Sequence, residues 1–123
     1  MLQDMTESTL HYSPRQAAVE VWLRLAGSAL HADDLIDQEL SRNRLQGPDR
    51  GLLTELVFGV LRRQGTLDHC LRQLVQQPLE QLQPIVLLLL RLGLYQLRYL
   101  DRIPPHAAVH ASVELARDRK SVV

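Results

Sequence analysis

The chain of 123 residues contains one cysteine, Cys70, one lysine, Lys120, and only 4% aromatic side chains. A single cysteine excludes an internal disulfide and fits a reducing compartment. A β-sandwich would need more aromatic and β-branched residues, so the sparse aromatics argue against one. No run is long enough for a membrane span. The most apolar segment, Ile85 to Leu100, falls short of the roughly 20 apolar residues required and carries Arg91 and Arg98. The opening stretch to Tyr12 has Asp4 and Glu7 and no apolar core, so it is not a secretory signal. Strand-like alternation, a fixed-period repeat and a glycine-rich loop following a strand are all missing. These absences leave a soluble, intracellular, all-α protein, with the cytoplasm as its expected place. At this length one domain is the default.

What is present is leucine at helical spacing, within a hydrophobic content of 46%. Residues 1–12 read as a disordered lead-in. Ser13-Pro14-Arg15-Gln16 is a helix start, with serine as N-cap, proline in the first turn and glutamine closing a capping box. Ala18, Val21, Trp22, Leu25 and Ala29 then give an apolar stripe. A short helix is predicted from Asp34 to about Arg42, with Leu35, Ile36 and Leu40 inward. Gly47-Pro48-Asp49 breaks the chain and caps a third helix, which places Leu52, Leu53, Leu56, Val57, Val60 and Leu61 inward and ends near Gly65. Thr66 is expected to cap a fourth, through Val75, with Leu67, Cys70, Leu71 and Leu74 on its buried side. Pro84 opens the longest apolar helix, Ile85 to Leu100, expected at the centre because it is apolar nearly all round. Pro104-Pro105 starts a last helix through about Arg119. The end at Val123, without a C-cap glycine, reads as cut off.

A formal net charge of zero hides a segregation. Residues 1–41 hold two arginines against seven acids, a balance of −5, and the remainder carries +5. Thirteen of the fourteen basic residues are arginine. The planar guanidinium fork bonds two acceptors at once, which suits phosphate and base contacts. Arg42, Arg44, Arg50, Arg62 and Arg63 bracket the third helix, with Arg15 and Arg91 as possible additions. Two readings stand: a surface that tracks phosphates, or arginines that complement a helix C-terminus and pair with the acidic second helix.

The other candidate chemistry is weaker. Cys70 as a nucleophile would need a neighbouring base, and a small core residue is the simpler reading. His106, His110 and Glu114 share a helical face at i, i+4 and i+8, but a straight helix spreads them over about 12 Å, too far to meet at one metal ion. Tyr95 and Tyr99, four apart, are either a base-stacking platform or core residues with their hydroxyls at the bundle edge. Neither a catalytic nor a metal site is assigned.

Two leucine-rich helices carry a glycine in mid-course, in Glu55-Leu56-Val57-Phe58-Gly59-Val60-Leu61-Arg62 and Leu90-Arg91-Leu92-Gly93-Leu94-Tyr95-Gln96-Leu97. Each glycine costs about 1 kcal/mol relative to alanine, so each predicts a helix crossing at close range. With Ile103-Pro104-Pro105-His106-Ala107-Ala108, these segments closely resemble the NusB-like helical domain from Ser13 to Lys120. That domain occurs alone in the antitermination factor NusB and as the N-terminal part of the RsmB/Sun-type 16S rRNA cytosine-5 methyltransferases. The proline-histidine stretch resembles the methyltransferase form.

The resemblance implies a compact bundle of about six helices over residues 13–123, lacking the family's final helix, which bears an Asn-x-Val-Leu-Arg motif. It further implies an RNA-binding module that positions 16S rRNA for a catalytic domain absent from this chain. The S-adenosylmethionine site and catalytic cysteines would belong to that domain, so the chain itself would hold no cofactor and would not be an enzyme. Arg15 matches the family's basic first helix, and Arg91 a basic position beside its Gly/Ala-Leu-Tyr segment. Arg42, Arg44, Arg50, Arg62 and Arg63 rest on charge alone. The alternative is a NusB-type antitermination factor or a protein-docking scaffold. Expected partners are RNA, the parent's own methyltransferase domain and, through surface left by the missing helix, a second copy.

Overall fold

The computed structural model describes residues 11–27 and 29–100. The expected last helix, the Ile103–Ala108 stretch, the His106, His110 and Glu114 face and the lead-in up to residue 10 lie outside them. Among the described residues there are five α-helices, one 3-10 turn and no strand. The helices are α1 (Pro14–Ala26), α2 (Ala32–Arg42), α3 (Pro48–Arg62), α4 (Gln64–Leu74) and α5 (Pro84–Tyr99), with the 3-10 turn at Leu79–Gln81. None of the helices is long and apolar enough to cross a membrane. Packing divides the chain into two units, Met1–Val57 and Phe58–Val123, with the division inside α3.

In the first unit, α1 starts as its sequence dictates. Ser13 Oγ accepts from the Gln16 N–H at 3.2 Å, and Gln16 Oε1 accepts from the Ser13 N–H at 2.9 Å, so two otherwise orphaned donors are bonded. Its inner face is Ala17, Ala18, Val21 and Trp22, and α1 packs on α2. Trp22 is in the core, as expected, with its Nε1 left without a hydrogen-bond partner among the described residues. The stripe ends early, because the helix stops at Ala26: Leu25 is half-buried and Ala29 exposed. Helix α2 begins two residues before the expected Asp34, with Asp33 and Asp34 in its first turn, where carboxylates complement the helix dipole. Leu35, Ile36 and Leu40 are buried as predicted.

Helix α3 contributes Leu53, Leu56 and Val57 to the first unit and Val60 to the second. Leu52 is only half-buried and Leu61 is exposed, contrary to expectation. At 100° per residue, both lie on the flanks of the stripe made by 53, 56, 57 and 60.

In the second unit α4 packs on α5 and on the 3-10 turn, burying Leu67, Leu71 and Leu79. Helix α3 ends at Arg62 and α4 begins at Gln64, so Gly65 and Thr66 lie within α4 and Thr66 is not its cap. The helix-to-helix joint is Arg63, at φ −106°, ψ 15°, close enough to helical backbone that no breaker residue is required. Leu74, the last residue of α4, is 72% exposed rather than inward. Helical phase records a face, not how far a partner reaches along it. Helix α5 buries Leu89, Leu92, Tyr95 and Gln96, but Val86 and Leu97 are exposed. Its apolar circumference is therefore only partly enclosed.

Candidate functional site

In the first unit a buried carboxylate gathers the polar side chains. Glu39, on the inner face of α2, is fully enclosed. Its Oε1 accepts from Asn43 Nδ2 at 3.0 Å, and its Oε2 lies 3.5 Å from Arg24 Nη1 and 3.7 Å from Arg42 Nη1. Asn43 Oδ1 accepts the Tyr12 N–H at 2.8 Å, and Arg42 lies over the Tyr12 ring, 5.5 Å from its centroid. Thus Tyr12, placed in the lead-in by sequence, is tied to the end of α2. Arg42 is engaged by an acid of its own helix, the arrangement set against phosphate contact in the sequence reading.

Arg15 is half-buried on α1. Burial pushes its guanidinium pKa below the ordinary value, while the charge of Asp49 works in the opposite sense. Arg44 and Arg50 are exposed, with no carboxylate partner among the described residues. Arg44 follows the Asn43 cap of α2 at φ +53°. The Leu45 N–H bonds to the Leu40 carbonyl at 3.0 Å and the Arg44 N–H to the Ser41 carbonyl at 3.4 Å. This is a Schellman ending with buried Leu45 as its apolar closure, and arginine stands where glycine is favoured.

In the second unit Arg91 is held by Asp68. Nε and Nη2 both donate to the carboxylate at 2.8 Å, and both side chains are largely buried. A fork bonded in this way is already matched to a planar acceptor. Arg62 is exposed in the last turn of α3 without a carboxylate partner among the described residues. Arg63 is also exposed, and its guanidinium lies over the Tyr99 ring, 4.5 Å from the centroid.

Tyr99 stands beside Tyr95, with ring centroids 5.1 Å apart and planes inclined by 34°. Tyr95 is buried and fills the space above Gly59: a Cβ there would overlap its hydroxyl and Cζ and stand 2.7 Å from Cε1. The glycine in α3 therefore admits an aromatic side chain from α5, where sequence predicted a close crossing of helices. Arg98 reaches the same Tyr99 ring at 5.7 Å and donates from Nη1 to Cys70 Sγ at 2.9 Å. Cys70 is half-buried rather than enclosed, so its reading as a simple core residue is corrected.

Arg98 and the role of Tyr99 in holding two arginines were missed by sequence reasoning. The spacing of Tyr95 from Tyr99, and of Gly59 from Arg63, is four in each case, which put the parts on common faces but gave no sign that the two faces meet. Among the described residues no three His, Cys, Asp or Glu side chains stand together as metal ligands.

Among the described residues each unit is helical and carries exposed guanidinium groups. The NusB family model matches residues 13–122, and the chain belongs to the NusB family. It is 39% identical over 87% of its length to a probable ribosomal RNA small subunit methyltransferase B of Bacillus subtilis, and 43% identical over 85% to the protein of that name from Synechocystis. A ribosomal RNA small subunit methyltransferase B of Pectobacterium carotovorum is 50% identical over 54% of the chain, and the match spans 15% of the relative. The chain spans about a quarter of the length of the first two relatives, 24% in each case. No solved structure matches it.

Proposed function

We propose that this chain is the RNA-binding module of an S-adenosylmethionine-dependent ribosomal RNA cytosine-5 methyltransferase, holding 16S rRNA while a catalytic domain elsewhere in the parent protein acts on the base. On this reading S-adenosylmethionine and the reacting cysteines belong to that domain, and the module supplies affinity and orientation. Phosphate contacts of this kind fix register on a nucleic acid without themselves choosing the base.

The observation that carries the reading beyond the family is Arg44. It occupies a left-handed position that L side chains rarely adopt, and its guanidinium is exposed with no acid to pair with among the described residues. Strain of that kind persists only where the surrounding structure holds it, and it clusters at binding and catalytic sites. Among the described residues Arg50 in the first unit and Arg62 and Arg63 in the second are likewise exposed without a carboxylate partner, so each unit offers positive charge to phosphates. Arg42 and Arg91, engaged by Glu39 and Asp68, are assigned to holding the fold that presents it.

Fluorescence anisotropy with a fragment of 16S rRNA tests the proposal. Four phosphate contacts give a log–log salt slope of about −3, so affinity should fall roughly a hundredfold between 50 and 200 mM salt. The double reversal R62E/R63E should weaken binding at every salt concentration and flatten that slope. Affinity independent of salt, or unmoved by the reversal, refutes the assignment.

A further inference from the structure

We infer that Arg63, Tyr99 and Arg98 form a preorganised clamp for a phosphodiester of the RNA strand, an inference that rests on the RNA-binding reading. Arg63 and Arg98 contact the phosphate, and Tyr99 is a positioning residue that holds both guanidinium groups.

The argument starts with what anchors the other engaged arginines. Arg24 and Arg42 lie against Glu39, Arg72 lies 3.8 Å from Glu80, and Arg91 is bonded to Asp68. Arg63 and Arg98 are anchored instead on an aromatic ring, at 4.5 and 5.7 Å from its centroid, and among the described residues no carboxylate pairs with either. Both distances are within the range at which a ring quadrupole attracts a cation. Two like charges brought to one ring without an acid raise each other's energy, and an anion bound at that point relieves the repulsion. A guanidinium lying over a ring also keeps its N–H edge available for a bidentate oxygen acceptor.

The platform is fixed before any ligand arrives. Tyr99 is half-buried against Tyr95, which is itself seated in the Gly59 notch. Arg98 is held at a second point by its hydrogen bond to Cys70 Sγ. Gly59, Tyr95, Tyr99 and the two arginines thus form one chain of contacts within the second unit, running from a buried notch to an exposed cationic edge. Little side-chain entropy remains to be lost on binding, which favours affinity.

Cys70, the protein's single cysteine, is a reporter placed at the clamp. The test uses the native chain and its R98Q, Y99L and Y99F variants with a short mixed-sequence single-stranded RNA, and inorganic phosphate as a control. It reads affinity against salt and the rate of Cys70 alkylation by iodoacetamide. Replacing Arg98 should weaken binding about tenfold and reduce the salt slope by about one. Y99L should weaken binding through both arginines, and Y99F, which keeps the ring, should restore it. Bound RNA should slow alkylation several-fold in the native chain and less in R98Q, whereas phosphate at equal charge should protect far less than the strand.

R98Q and Y99L chains that keep native affinity, slope and Cys70 protection overturn the clamp while leaving RNA binding elsewhere intact. A native chain that binds no RNA at low salt overturns both readings. If circular dichroism shows Y99L unfolded, R98Q decides, because Arg98 is exposed and buries no core surface.

Discussion

Both units anchor arginines on acids, and the second also anchors two on an aromatic ring. In the first, Arg24 and Arg42 turn toward a fully buried Glu39 and close a polar network with Asn43 and Tyr12. In the second, Arg63 and Arg98 lie on Tyr99, in front of an aromatic pair seated in a glycine notch. An arginine bonded to a buried acid is neutralised and fixes the fold. An arginine stacked on a ring is equally positioned but keeps its charge for a partner outside the chain. Side-chain identity alone did not separate the two; the anchoring group did.

The sharpest way to break this contrast is E39A. It removes one of the two acceptors of Asn43 Nδ2 and the common partner of two arginines, and should lower the unfolding free energy by about 3 kcal/mol in urea titration. Native stability in that variant would erase the distinction. G59A comes next. Its methyl collides with the buried Tyr95 ring, an overpacking that should cost about 2 kcal/mol. It should also weaken RNA binding, because Tyr99 moves with Tyr95, whereas E39A leaves the aromatic platform alone. The smallest effect has the opposite sign. R44G relieves a left-handed residue at the end of α2 and should stabilise by about 0.5–1 kcal/mol while loosening RNA binding. Equal affinity in the stabilised variant would remove Arg44 from the interface.

Much of the fold was legible where the sequence itself carries the local energetics. The Ser13 capping box, the prolines at the starts of α1 and α5 and the Gly47-Pro48 break all act within a few residues, and all stand where they were placed. The misses are of two kinds, a local joint that needs no breaker residue and faces whose partners lie distant along the chain. Thr66 looked like a cap because Gly65 before it looked like a break, yet Arg63 makes the joint with nearly helical backbone. Leu74 has a helical phase suited to burial, but it is exposed. The candidate site belongs to the second kind. Arg63 was marked by charge and Tyr99 by spacing, while their stacking depends on Tyr95 entering the space that Gly59 leaves open.

Trp22, the sole tryptophan, is 5% exposed in the first unit, with an indole N–H that has no hydrogen-bond partner among the described residues. An indole in such dry surroundings emits at the blue end of its range and shifts red once water reaches it, so its fluorescence follows the first unit alone. Far-ultraviolet ellipticity follows helices in both. Superimposable melting curves from the two signals would mean that the halves unfold together, and a lag between them would time one half against the other without any added label.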